Sequence, residues 1–215
     1  MKRIIAIAFF LTLLPAAHSQ GARPALPLPA QLGRVLAIPP QPAVSHSASY
    51  QSAQRKLQAI AENGRLTRPQ PQTTVLTTDE INAYLAEGGV ALPDGVQRVR
   101  FSSVPRVVTA AARIDFDRLT ASRKINNPWM AMLFTGVHDV SVEAQASGSN
   151  GVGSVRVNSV AIDGLKVPQM ALQFLVDYCL KPKYGPNVGL DSHFSLPAHI
   201  DIAVVGNDQV AFTQK

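Results

Sequence analysis

The hydrophobic period of this chain changes from helical to alternating at Gly95, and that change does most to limit what it can fold into. Before Gly95, apolar residues recur at helical spacing: Tyr50, Ala53, Leu57 and Ile60 over 47–63, then Ile81, Tyr84 and Leu85. After it they alternate. Val99 and Phe101 interleave with Arg98 and Arg100; Val108, Ala110, Ala112, Ile114 and Phe116 with Thr109, Ala111, Arg113 and Asp115; Val140, Val142, Ala144 and Ala146 with Asp139, Ser141, Glu143 and Gln145. An apolar residue at every second position puts one face of a strand in a core and the other in water, which is the signature of antiparallel pairing. The apolar parity slips between Val155 and Val157 on one side and Val160 and Ile162 on the other, so a β-bulge is predicted near Asn158 or Ser159. Ser147–Gly153 suits a hairpin turn, and three short strands over 190–196, 199–205 and 209–213 close the chain. The expected class is α+β: a curved antiparallel sheet of about six or seven strands, two main helices packed on one face, and an N-terminal helix.

Local chemistry places the helix ends. Ser47 or Ser49 can cap the first helix, and Gly64 stands where a C-terminus favours positive φ. Thr77 as N-cap puts Glu80 at N3, the reciprocal capping-box arrangement. Gly88 and Gly89 end that helix, and Leu92–Gly95 reads as a turn. Val167 and Pro168 open a further helix, with proline near its first position, running to about Leu180. At helical pitch Met170, Phe174 and Tyr178 descend one side and Leu172, Leu175, Val176 and Cys179 another, leaving only Gln173 and Asp177 as a polar strip. A helix on one sheet needs an apolar stripe of little more than about 100°, so this helix carries surplus apolar surface.

Residues 1–19 have the parts of a cleavable signal peptide: Lys2 and Arg3, an apolar run from Ile4 to Leu14, the break at Pro15, and small residues at Ala17 and Ser19. The expected location is outside the cytosol, periplasmic or extracellular. Residues 20–46 carry Pro24, Pro27, Pro29, Pro39, Pro40 and Pro42 and read as a disordered arm, leaving 47–215 as one α+β domain. The one cysteine, Cys179, excludes an internal disulfide and reads as a core thiol. The basic excess, 20 Lys and Arg against 14 Asp and Glu, is scattered. No basic run with interleaved aromatics points to nucleic acid, whereas peripheral contact with an anionic envelope surface fits the charge.

Candidate chemistry is sparse. Asp191, His193, His199 and Asp201 form a zinc-like set if two adjoining strands share a face, but alternation alone puts polar residues there, and no metal is expected. His138, with Asp139 and Glu143, invites an acid–base reading. No nucleophile elbow, zinc-protease helix or phosphate-cradling loop appears, and no cofactor is expected. Trp129, Met130, Met132, Leu133 and Phe134 form an apolar cluster that can plug a core or line the lip of a groove.

Leu76–Leu85 (LTTDEINAYL), Ala112–Leu119 (ARIDFDRL) and Gly164–Pro168 (GLKVP) resemble landmarks of an uncharacterised family of exported bacterial envelope proteins, similar in pattern to tubular lipid-binding (TULIP-like) domains. The chain departs from that pattern in lacking one long helix. The resemblance implies a lipid held between helix and sheet, with no catalytic residue. It places Ile81, Tyr84 and Leu85, together with Met170, Phe174 and Tyr178, beside the seam, to which Trp129 and Phe134 add from the apolar cluster. The expectation is a non-catalytic envelope protein that binds a lipid or other apolar ligand. The alternatives are an envelope scaffold or protein-interaction module, and a hydrolase using His138 or His193 and His199.

Overall fold

The computed structural model describes residues 46–119, 134–185 and 189–215, with the backbone alone at 178, 179, 183 and 184. The signal segment, the arm up to residue 45 and Trp129 lie outside the described residues.

Helix α1 spans Ala48–Asn63; the Ser47 side chain accepts from the Tyr50 amide at 3.2 Å. Tyr50, Ala53, Leu57 and Ile60 are its buried stripe. Gly64 follows, but its φ is −69°, so positive φ is not why glycine stands there. A Cβ at this position would fall 2.5 Å from that of Ala198. Close approach of the loop before β8 demands the glycine instead.

Strand β1 (Gln72–Thr77) runs straight into α2 (Thr78–Ala86). The capping box forms: Thr77 Oγ1 accepts from the Glu80 amide at 3.2 Å, and Glu80 Oε2 accepts from the Thr77 amide at 2.9 Å. At the other end Gly88 has φ +83°, and the Gly89 amide donates to Tyr84 O at 2.9 Å, the Schellman closure.

The remaining strands are β2 (Val96–Val104), β3 (Val107–Asp115), β4 (Val137–Ser149), β5 (Val152–Ile162), β6 (Leu165–Lys166), β7 (Asp191–Ser195), β8 (Ile200–Val205) and β9 (Gln209–Gln214). One short turn of helix, α3, occupies Phe116–Leu119. Phe116, expected as the last strand residue, is therefore the first helical one. After β6, α4 (Gln169–Phe174) passes into a π-helical turn over Leu175–Leu180 and ends in α5 (Lys181–Tyr184).

All nine described strands join one sheet, and every pairing among them is antiparallel. The count exceeds the expected six or seven because 72–77 pairs fully with β9, and because Asp163-Gly164 folds the two residues of β6 back on β5. Strand β4 is the spine. It pairs with β3 and β5 along its length and touches β8 at Gly148, where β8, β9 and β1 branch off. The bulge falls where the parity slip puts it: Glu143 faces Ser159 and Ala144 faces Val157, so Asn158 is the extra residue. The Asn150-Gly151 hairpin turn has φ +52° and +72°, the primed geometry that suits strand twist.

The two branches meet again at a corner. The Arg106 amide donates to Val205 O at 3.1 Å, the Asp208 amide to Ser103 O at 3.0 Å, and the Thr78 amide to Asp208 O at 2.8 Å. The β2–β3 turn, the β8–β9 turn and the start of α2 are thus tied together through backbone.

The apolar residues sort into two main clusters. The first joins α1, α2, Leu76, Phe101 and the β8–β9 pair; the second joins Phe116, Phe134, Val140, Ile162, Val167, Ala171 and Leu172. Full burial of each large apolar side chain contributes about 1.5–3 kcal/mol. Val108 packs on the first cluster and Ile114 on the second, and both lie on the same face of β3, so both clusters stand on one side of the sheet. The chain end is locked by Gln214, which is fully buried. Its amide nitrogen donates to Ile60 O at 2.9 Å and Ala198 O at 2.6 Å, while its oxygen accepts from Asn63 at 3.1 Å and Gln72 at 2.6 Å.

Candidate functional site

Cross-strand pairing lays two rows over the helix-bearing face: Val99, Ala112, Val140 and Ile162, and beside it Phe101, Ala110, Val142 and Val160. Phe101 belongs to the first cluster, while Val140 and Ile162 belong to the second. Val99 packs on the first cluster and Val142 and Val160 on the second; with Ala110 and Ala112 between them, all five remain only partly buried on the side that the helices occupy. Two methyl side chains on β3 keep the middle of this strip low. Every side chain in it is a hydrocarbon, so it has no group for acid–base or metal chemistry. Its affinity is for apolar surface, roughly 25 cal/mol for each Å² removed from water.

The residues expected to border a seam divide between the clusters. Ile81, Tyr84 and Leu85 are buried in the first, where Tyr84 stacks on Tyr50 at 5.3 Å. Burial and the Tyr50 hydroxyl hold the Tyr84 phenol above its ordinary pKa. Phe134 lies in the second cluster, edge-on to Phe116 at 5.5 Å, and Phe174 packs against that cluster while remaining partly buried. Met170 is 76% exposed and does not line up with Phe174 on a buried side. The expected stripe assumed α-helical spacing as far as Leu180, but from Leu175 the chain is π-helical, with more residues per turn, so that spacing does not continue beyond Phe174. Tyr178 and Cys179 sit in that turn, their side chains outside the described residues.

Alternation in the sequence does not single out this strip. Its signal was the pair of alanines, Ala110 and Ala112, where the neighbouring strands carry larger inward residues. Alternation marks a face but does not tell whether that face is covered.

His138 finds a different partner from those expected. Its Nδ1 lies 2.6 Å from Asp163 Oδ2 and its Nε2 2.6 Å from Thr135 O. Asp139 instead faces Arg113 at 3.4 Å, and Glu143 accepts from Asn158 at 3.3 Å. Both contacts of the ring are acceptors, so the arrangement favours an imidazolium with both N–H groups donating. The Asp163 carboxylate, then the Thr135 carbonyl, raise the His138 pKa; the His138 hydrogen bond, then the Asp139 amide, lower that of Asp163. A ring held this way offers no free lone pair to act as a base.

The Asp191, His193, His199 and Asp201 set is taken apart by topology. It needed adjoining strands, but β7 pairs with β5, and β8 with β4 and β9. Ala198 and His199 have φ +55° and +56°, turning the chain between them. Asp191 pairs with Arg156 at 3.0 Å and Asp201 with Lys215 at 2.7 Å. Among the described residues no three His, Cys, Asp or Glu side chains gather as metal ligands. No described helix is long and apolar enough to cross a membrane.

The fold and the strip together define an α+β protein built on one large antiparallel sheet. Comparison with protein-family models, curated proteins and solved structures finds no match for this chain.

Proposed function

We propose that this is a non-catalytic exported envelope protein, periplasmic or extracellular, that holds a lipid acyl chain or similar elongated apolar ligand. In this reading the sheet is curved, its two main helical elements, α2 and α4 with the π turn, stand on one face behind the N-terminal helix α1, and the ligand lies along the hydrocarbon strip between the two clusters. The observation that supports it is the strip: Val99, Ala110, Ala112, Val142 and Val160 are partly open on a face whose flanks are closed by packed helices. Phe134 and Phe174 border its second-cluster end; Ile81, Tyr84 and Leu85 form the wall behind its first-cluster end. The proposed TULIP-like character of the chain is of the same kind. Peripheral contact with an anionic envelope surface would deliver such a ligand.

Titration with a fluorescent fatty acid tests this. Saturable binding is expected, and the double variant Ala110→Trp/Ala112→Trp should abolish it with the melting temperature kept within a few degrees, because the indoles occupy the ligand's place. Phe174→Asp should weaken binding, since an unpaired charge beside an apolar ligand is costly. A wild-type protein that binds no apolar probe defeats the reading. In that case the exposed Leu165 and Met170, 75% and 76% accessible, favour the scaffold alternative.

A further inference from the structure

The contacts of His138 bring together three parts of the chain: the entrance of β4, the β5–β6 turn and α3. The ring links the Thr135 carbonyl, just before β4, to the Asp163 carboxylate in the β5–β6 turn. Asp163 is held a second time by the backbone: its amide donates to Asp139 O at 2.8 Å, and its Oδ1 accepts from the Asp139 amide at 2.9 Å. Phe116 of α3 lies against the ring at 6.0 Å, and Asp117 Oδ2 accepts from the Gly136 amide at 3.1 Å. The turn so fastened leads through Leu165 and Lys166 to Val167, which is buried in the second cluster. We propose that His138 is a pH-sensitive latch that fastens the β5–β6 turn to the start of β4 when protonated and releases it when neutral. This inference goes beyond the ligand reading and does not depend on it.

The electrostatic surroundings leave His138 as the group that titrates near neutrality. Among the described residues the charged groups around it are Asp163 from the turn, Asp117 from α3, Asp139 on its own strand and Arg113 from β3. Loss of the ring proton removes one of the two hydrogen bonds and leaves a lone pair facing either a carboxylate or a carbonyl oxygen. The sign follows from linkage. The closed-state pKa of His138 is raised, so the latch is fully fastened below the ordinary histidine value of about 6.5 and slackens as pH rises through the higher closed-state value. Between those values opening releases one proton, and the opening constant rises about tenfold per pH unit. Acid does not open it in this range, because the carboxyl of Asp163 is held below its usual pKa.

Amide hydrogen exchange on the purified protein from pH 5.5 to 9, corrected for intrinsic base catalysis, tests the latch at the Asp139 and Asp163 amides. In the wild type, protection at both sites should fall by up to about tenfold per pH unit as pH rises from about 6.5 toward the ring's own midpoint, while β8–β9 amides stay protected. Nitrogen chemical shifts of the ring should place the His138 midpoint at the upper end of that fall. His138→Gln and Asp163→Asn should each make the corrected protection at 139 and 163 independent of pH. Wild-type protection that does not change with pH, or a change that persists in His138→Gln, overturns the proposal. Should either variant fail to fold, with β8–β9 protection lost, the wild-type profile and the ring titration still decide it.

Discussion

Gln214→Met is the sharpest probe of how the chain end is held. The substitution keeps side-chain length and volume while removing both halves of a buried carboxamide. Four partners are affected: Ile60 O, Ala198 O, Asn63 Nδ2 and Gln72 Nε2. They do not lose equally. Ile60 O keeps the Gly64 amide at 3.0 Å, and Asn63 Nδ2 keeps Gln70 O at 2.9 Å. Ala198 O and the Gln72 amide lose a bond of 2.6 Å each, at residues that are partly exposed. A polar group left unsatisfied in a buried place costs about 1–3 kcal/mol, less where water can reach it. The four groups together should therefore cost about 2–4 kcal/mol. That corresponds to a fall in Tm of about 5–15 °C for a domain of this size. Urea unfolding followed by circular dichroism measures the change directly, with the slope of the transition unchanged. A loss under about 1 kcal/mol would refute the reasoning, because it would mean that the four partners find water as easily as they found Gln214.

Two further outcomes follow from single positions. Gly95, at φ +89°, faces the Asp115 carbonyl so closely that an added Cβ would overlap it; Gly95→Ala should cost about 2–4 kcal/mol in thermal or urea unfolding, and a neutral result would show that the β2 entrance relaxes freely. Burial acts to raise the pKa of Glu80, but hydrogen bonds from Lys56, Ser52 and the Thr77 amide together outweigh it and leave the carboxyl below its usual value. Its share of stability is thus present above the unfolded carboxylate pKa and lost as pH falls through the folded one. Glu80→Gln should cost about 1–2 kcal/mol at pH 7 and flatten the acid limb of the stability profile. An unchanged acid limb would remove Glu80 from the account.

Much of the scaffold was legible because it is encoded locally. The capping box at Thr77 and Glu80, the turn at Gly95, the alternation in β2 to β5 and the Asn158 bulge each follow from residues a few positions apart. What escaped depends on partners far away in the chain. Gly64 does end α1, yet it is glycine because of Ala198 and not for positive φ. The metal-like set dissolved because β7 and β8 go to different neighbours, which alternation cannot reveal. His138 was matched with Asp139 and Glu143 by proximity in sequence, whereas Asp163 reaches it across a strand pairing. The stripe of Met170, Phe174 and Tyr178 assumed one helical pitch where the chain changes to a π turn after Phe174. Alternation does not mark the strip at Ala110 and Ala112, because a partly buried face and a fully buried one share the same pattern.

The central claim is that the hydrocarbon strip holds an apolar ligand, and native mass spectrometry of protein purified from its own host tests it most directly. The account expects an adduct of lipid mass on the wild-type protein, extractable by organic solvent and missing from Ala110→Trp/Ala112→Trp purified in the same way. Wild-type protein that carries no adduct and gains none when incubated with fatty acid or phospholipid would contradict it.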